Sequence, residues 1–120
     1  MEKNLLMGIH DSCLEEFCQY FATDFSYKIT SCKTQEEFFE AMENQRYSRL
    51  LFDANFTHPN SPDYSFTKQV MEKLKLTKSD LGYKILGISG NPELVESAQK
   101  ENLPVIDKKY FSEKFQEFLV

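Results

Sequence analysis

Four chemically active side chains follow short apolar stretches of the sequence, either directly or after one intervening residue. They are Asp11 after "NLLMGI", Asp53 after "RLLF", Ser89 after "YKILGI" and Lys108 after "PVI". Apolar runs of this length are typical of buried strands. If the strands are parallel neighbours, their carboxyl ends lie at one edge of the sheet, where ligands bind in open α/β folds. The sequence therefore predicts two carboxylates, a hydroxyl and an amine around one site.

These groups suit phosphoryl chemistry. Asp11, Asp53 and a main-chain carbonyl just past Asp53 are hard oxygen ligands of the kind that Mg²⁺ prefers. A metal-bound Asp53 carboxylate can attack the phosphorus of a phosphodonor and carry the group as an acyl phosphate. Lys108 would offset charge on the phosphoryl oxygens and Ser89 would donate a hydrogen bond to one of them. We therefore predict Asp53 as the phosphoacceptor.

The segments between the apolar runs have the residue spacing of amphipathic helices. Thr34 and Glu37 form a capping-box pattern at the start of "QEEFFEAMEN". Asn91 and Pro92 suit the N-cap and first position of a later helix. The predicted apolar faces are Leu14/Phe17/Cys18/Phe21, Phe66/Val70/Leu74, Leu94/Val95/Ala98 and Phe111/Phe115/Phe118/Leu119.

With "YKITSC" as the second strand, five predicted strands alternate with five predicted helices. Strands that are apolar on both faces indicate a parallel sheet covered by helices on each side. The 120 residues show no linker or low-complexity segment. We expect one α/β domain over residues 1–120.

Composition narrows the function classes. The net charge of −5 and the absence of clustered Lys and Arg argue against a nucleic-acid surface. No apolar run is long enough to predict a membrane span or a signal peptide. Cys13, Cys18 and Cys32 have no CxxC spacing, which favours packed free thiols in a reducing cytoplasm.

Over essentially its whole length the chain resembles the receiver domain of two-component response regulators. The matching positions are Asp11, Asp53 with Asn55 in "FDANF", Ser89 in "GISG" and Lys108 in "VIDKKYF". The resemblance implies a flavodoxin-like (βα)5 doubly wound parallel sheet of strand order 2-1-3-4-5. It also implies that the main-chain carbonyl of Asn55 joins Asp11 and Asp53 in holding Mg²⁺.

The resemblance further implies partners and a role. Asp53 would take its phosphoryl group from a histidine kinase or phosphotransfer protein, and a downstream target protein would read the modified state. Such a domain assists its own phosphorylation and is not an enzyme in the usual sense. By the same resemblance, Cys13, Leu14 and the residues flanking Tyr110 are candidates for partner contact.

Three positions depart from the receiver pattern. His10 stands where receivers usually carry a second acid, which predicts weaker Mg²⁺ binding. Lys109 stands where a proline usually follows the site lysine through a cis bond, which predicts a different placement of Lys108. Val105 stands where many receivers have an aromatic switch residue.

Other interpretations of the same residues stay open. Asp53 and Ser89 suit ordinary turns, Asp11 suits the start of a helix, and His10 suits a softer metal such as Zn²⁺. As a whole, the chain is alternatively a pseudo-receiver that acts as a scaffold without phosphorylation. A flavodoxin-like small-molecule domain is less favoured, because "HDSCLEE" is acidic where a flavin phosphate loop would be rich in Ser, Thr or Gly.

Overall fold

The computed structural model of the protein describes residues 3–56, 64–74 and 85–120. In that part of the chain the strands β1 to β5 are Asn4–Gly8, Lys28–Ser31, Arg49–Asp53, Ile85–Ser89 and Val105–Asp107. The helices α1 to α5 are Ser12–Asp24, Gln35–Asn44, Ser65–Leu74, Pro92–Lys100 and Phe111–Leu119, and Lys108–Tyr110 forms a 3₁₀ turn. The predicted start of the fourth strand at Tyr83 lies outside the described residues, as does most of the loop after Asn55. None of the described helices is long and apolar enough to cross a membrane.

The five strands form one parallel sheet in the order β2-β1-β3-β4-β5. Both the predicted fold class and the predicted strand order are confirmed. The order reverses direction after β1, so the first and third strands are neighbours and their carboxyl ends flank the topological switch point. This is where the fold places the candidate site.

Alternating strand residues enter hydrophobic cores on both faces of the sheet, and two large cores hold most of the buried residues, beside a smaller one between α4 and β5. Leu5 and Met7 of β1 join α1 and α5 in one core, which contains Phe115. Leu6 of β1 joins α2 and α3 in the other, which is built around Phe38 and further phenylalanines. Burial of side chains on both faces explains why these strands read as continuous apolar runs.

Helix starts follow the local sequence. Thr34 and Glu37 form the predicted capping box of α2. Asn91 caps α4 by accepting hydrogen bonds from two main-chain N–H groups, and Pro92 occupies the first turn. These motifs satisfy donors that a helix leaves unpaired at its N-terminus, so they fix where each helix begins.

The strand register aligns the carboxyl ends that carry the site. Gly8 of β1 pairs with Phe52, the residue before Asp53. Asp53 pairs with Ile88, and Ser89 pairs with Asp107, the residue before Lys108. The carboxyl ends of these four strands therefore lie at one edge of the sheet, together with the residues that directly follow them.

Candidate functional site

A cavity of about 160 Å³ lies at this carboxyl edge. It is lined by His10, Asp53, Asn55, Ile88, Ser89, Gly90 and Lys108. The structure thus brings together Asp53, Ser89 and Lys108, which we predicted to act together, and the predicted metal-binding residue Asn55. Asp11 is not part of the lining.

Asp53 is the last residue of β3 and is only 8% exposed. One carboxylate oxygen, Oδ2, accepts a 2.7 Å hydrogen bond from the main-chain N–H of His10. The next residue continues the sheet contact, since the N–H of Ala54 donates to the carbonyl of Ile88 at 2.8 Å. The carboxylate is therefore oriented by one main-chain N–H, and the backbone on which it stands is fixed by the sheet.

Opposing effects act on the pKa of Asp53. Burial is the largest and raises the pKa above its ordinary value, and the neighbouring Asp11 adds to the rise. The hydrogen bond from His10 and the positive charge of Lys108 act in the opposite direction. The effect of burial outweighs that of these partners, so the pKa of Asp53 is raised. Its ionised form therefore remains costly to bury.

Asp11 is the N-cap of α1. Its Oδ1 accepts hydrogen bonds from the N–H groups of Cys13 at 2.9 Å and Leu14 at 3.2 Å. A carboxylate that caps through one oxygen keeps acceptor capacity on the other. Because its charge affects the pKa of Asp53, Asp11 lies within electrostatic reach of the cavity.

His10 makes two contacts with the predicted site. Its main-chain N–H binds Asp53, and its ring Nε2 lies 3.4 Å from the main-chain carbonyl oxygen of Asn55. The ring also packs against Phe56, with 5.4 Å between ring centroids. The sequence analysis treated His10 as a missing acid and did not predict the contact with Asn55.

Two side chains from neighbouring helices hold the backbone that follows Asp53. The buried hydroxyl of Thr67 on α3 donates to the carbonyl of Ala54 at 3.1 Å. Gln35 Nε2 donates to the carbonyl of Phe56 at 2.7 Å, and the ring of Phe56 is itself buried. Sequence reasoning missed these positioning residues, although a threonine between Phe66 and Val70 on an apolar helix face was a signal.

Ser89 and Lys108 approach from the other side of the cavity. Ser89 Oγ accepts the N–H of Asn91 at 3.1 Å, and a hydroxyl in that role can still donate its own hydrogen. Lys108 is exposed and begins the 3₁₀ turn, which Asp107 caps through the N–H of Lys109. No cis peptide bond occurs in the described residues, yet Lys108 still lines the cavity. The predicted site residue Lys108 therefore reaches the cavity without a cis bond after it.

The comparisons with known proteins bear on this architecture. No protein-family model and no curated protein matches the sequence. The receiver domain of a sensor histidine kinase from Pseudomonas aeruginosa PAO1, solved with magnesium in its active-site cleft, is similar in structure. The match has a TM-score of 0.70 at 14% identity and covers 99% of this chain and 95% of that one. The chain has the receiver-domain fold.

A second solved structure has the same fold. The CheY-like response regulator receiver domain protein from Methanospirillum hungatei JF-1 matches with a TM-score of 0.69 at 16% identity, over 99% of this chain and 94% of that one. At such low identity the two likenesses establish the fold of the chain. The function has to be argued from the residues of its own site.

The residues predicted for partner contact differ in exposure. Cys13 is exposed and Tyr110 is 52% exposed, whereas Leu14 is partly buried against the core between α1 and α5. The prediction of packed thiols is confirmed for Cys18 and Cys32 and is wrong for Cys13. Cys13 is exposed because it lies in the first turn of α1, to one side of the apolar stripe.

Proposed function

We propose that the chain is a phosphorylation-dependent signalling domain in which Asp53 accepts a phosphoryl group. The observation that carries this proposal is the meeting of Asp53, Ser89 and Lys108 in one small cavity. Each residue alone suits an ordinary structural role. Their convergence from three strand ends supplies a nucleophile, a hydrogen-bond donor and a cation within one cavity, which is the set that phosphoryl transfer needs.

In the proposed step, the Asp53 oxygen not engaged by His10 attacks the phosphorus of the donor. The new O–P bond forms an acyl phosphate while the bond between phosphorus and the donor's leaving atom breaks, and the leaving group takes the electron pair. Lys108 offsets negative charge on the phosphoryl oxygens and Ser89 donates to one of them. Asp53 must be ionised to act, so the burial that raises its pKa works against the reaction at low pH.

The donor set of the site fits Mg²⁺. Within the described residues no three His, Cys, Asp or Glu side chains cluster to hold a metal. A cation here would be held by the carboxylates of Asp11 and Asp53, the carbonyl of Asn55 and water, a mixture that Mg²⁺ accepts. When bound, the ion neutralises charge between the carboxylates and the phosphoryl oxygens.

The proposed partners follow from this chemistry. A histidine kinase or phosphotransfer protein supplies the phosphoryl group, and a downstream protein reads the phosphorylated state. Phosphorylation adds negative charge beside Lys108 and Ser89, whose loops lead into the 3₁₀ turn and α4. Val105 is buried and has no aromatic ring that could rotate as a switch. The loops after Ser89 and Asp107 would therefore transmit the change. The proposed location is the cytoplasm, where such donors act.

Incubation with acetyl phosphate and Mg²⁺, followed by intact-mass measurement, tests the proposal. We expect the wild-type protein to gain the mass of one phosphoryl group and Asp53→Asn to gain none. Glu40→Gln, which removes an exposed carboxylate in the middle of α2, is the matched control and should be modified like wild type. A wild-type mass that stays unchanged with several donors would contradict the proposal.

The contact between His10 and Asn55 favours a second candidate function, a pseudo-receiver that binds its partner without phosphate. In that case the ring of His10 would keep the site permanently closed to cations. Partner binding that is identical for wild type and Asp53→Asn would support the scaffold. Binding that requires the phosphodonor would exclude it.

A further inference from the structure

The position of the His10 ring bears on cation binding. His10 touches both neighbours of the proposed cation, since its N–H binds Asp53 and its ring faces the carbonyl of Asn55. That carbonyl is the main-chain ligand in the metal site proposed above, on which this inference rests. The imidazole thus lies at the oxygen where the cation would bind.

The chemistry of the contact sets the ring and the cation in competition for one oxygen. A carbonyl oxygen only accepts hydrogen bonds, so a ring nitrogen 3.4 Å away that bonds to it must carry its hydrogen. A nitrogen that carries a hydrogen has no lone pair for a metal. In this orientation Nε2 of His10 cannot be a metal ligand, and a cation on the Asn55 oxygen would lie beside the N–H hydrogen.

The ring can nevertheless leave. His10 is exposed, whereas Phe56, which the ring packs against, is 1% exposed and held by the surrounding phenylalanines. Rotation of the His10 side chain into solvent would uncover the Asn55 carbonyl without moving the main-chain N–H that orients Asp53. Removal of the competing ring therefore needs a side-chain displacement and no rearrangement of the Asp53 carboxylate.

We infer that the His10 side chain is an internal competitor of the divalent cation, which lowers the affinity of the site by contacting the Asn55 carbonyl. This effect is separate from the absence of an acidic side chain at position 10. A small side chain should therefore bind the cation better than histidine does, even though it adds no negative charge.

The test is Mg²⁺ titration by calorimetry, without phosphodonor, of wild type, His10→Ala, His10→Asp and Asp53→Asn. Removing one net hydrogen bond to the carbonyl should make His10→Ala bind about threefold tighter than wild type. His10→Asp should bind tighter still, because it adds a carboxylate. Asp53→Asn should lose binding, which confirms that the titration reports this site.

The remaining outcomes overturn the inference. Equal affinity in wild type and His10→Ala would assign the weakness to the missing acid alone. Tighter binding of Mg²⁺ or Zn²⁺ by wild type than by His10→Ala would make His10 a ligand. Phosphorylation plays no part in this titration, so failure of Asp53 to be phosphorylated would leave the affinity ranking intact, and a flat ranking would leave phosphorylation untouched.

Discussion

The main-chain N–H of His10 donates a 2.7 Å hydrogen bond to Oδ2 of Asp53, joining the residue after β1 to the last residue of β3. The donor belongs to the backbone, so the side chain at position 10 can change without loss of this bond. The site therefore has an oriented carboxylate although position 10 carries no acid. At position 10 the main chain orients the Asp53 carboxylate, whereas the side chain affects the proposed cation site, so the two effects can be changed separately.

Lys108 is predicted to assist phosphoryl transfer to Asp53. Lys108→Met removes the cation from the cavity and should slow phosphorylation by acetyl phosphate by about tenfold or more, because charge on the transferred group is no longer offset. Lys109→Met is the matched control, since Lys109 lies over the ring of Tyr110 and does not line the cavity. Time courses of intact mass measure both. Equal rates for the two variants would remove Lys108 from the proposed chemistry.

The raised pKa of Asp53 predicts that Asp53→Asn stabilises the fold at neutral pH. Burial makes the folded state bind a proton more readily than the unfolded state. Folding free energy is therefore lost as pH rises from the unfolded pKa, about 3.9, through the higher folded pKa. Asparagine avoids this loss and keeps an oxygen for the His10 N–H.

Urea denaturation of wild type and Asp53→Asn at pH 7 and near pH 4 measures this effect. The variant should have the higher midpoint at pH 7, and its advantage should shrink toward pH 4. Glu40→Gln controls for the loss of one exposed negative charge. A lower midpoint for Asp53→Asn than for wild type at pH 7 would show that ionised Asp53 stabilises the fold.

Gly8 is predicted to be intolerant of a side chain. A Cβ there would lie 2.9 and 3.0 Å from two ring atoms of Phe56 and 3.1 Å from the ring of Phe38, both of which are buried. Gly8→Ala should lower the free energy of unfolding by about 1–3 kcal/mol. Gly90→Ala meets nothing closer than 4.0 Å, at Lys108, and should stay within about 0.5 kcal/mol of wild type. Similar unfolding midpoints for both variants would contradict the packing around Phe56.

Thiol reactivity should separate Cys13 from the other two cysteines. Burial raises the pKa of the Cys18 thiol to about 12 and that of Cys32 to about 11, whereas Cys13 is exposed. Since the thiolate is the reactive form, iodoacetamide at pH 8 should modify Cys13 quickly and the others only after denaturation. Peptide mapping by mass spectrometry identifies the modified residue. Rapid native labelling of Cys18 would contradict the core between α1 and α5.

Features encoded by neighbouring residues could be predicted from the sequence. The Thr34–Glu37 capping box and the Asn91-Pro92 helix start depend on contacts within a few residues, so their spacing was sufficient. The convergence of Asp53 and Ser89 also followed, because parallel strands share one carboxyl edge. The exact ends of the strands were harder to predict from the sequence than the helix starts. The last strand was expected over 104–106 and is Val105–Asp107, since its register with β4 carries it one residue further.

Contacts between distant residues could not be predicted in the same way. The His10 ring reaches Asn55 because Phe56 packs into the second core and fixes the main chain before it. Thr67 reaches Ala54 because α3 packs beside β3. The sequence around His10 carries no sign of the first contact, and the polar Thr67 on an apolar helix face does not reveal which carbonyl it binds.

The most direct test of the central claim is to trap the acyl phosphate at its position in the chain. After incubation with acetyl phosphate and Mg²⁺, borohydride reduces a phosphorylated aspartate to homoserine, which peptide sequencing by mass spectrometry locates. Homoserine at position 53, absent from Asp53→Asn, is the predicted result. No homoserine in wild type, or homoserine at another aspartate with Asp53 intact, would contradict the proposed function.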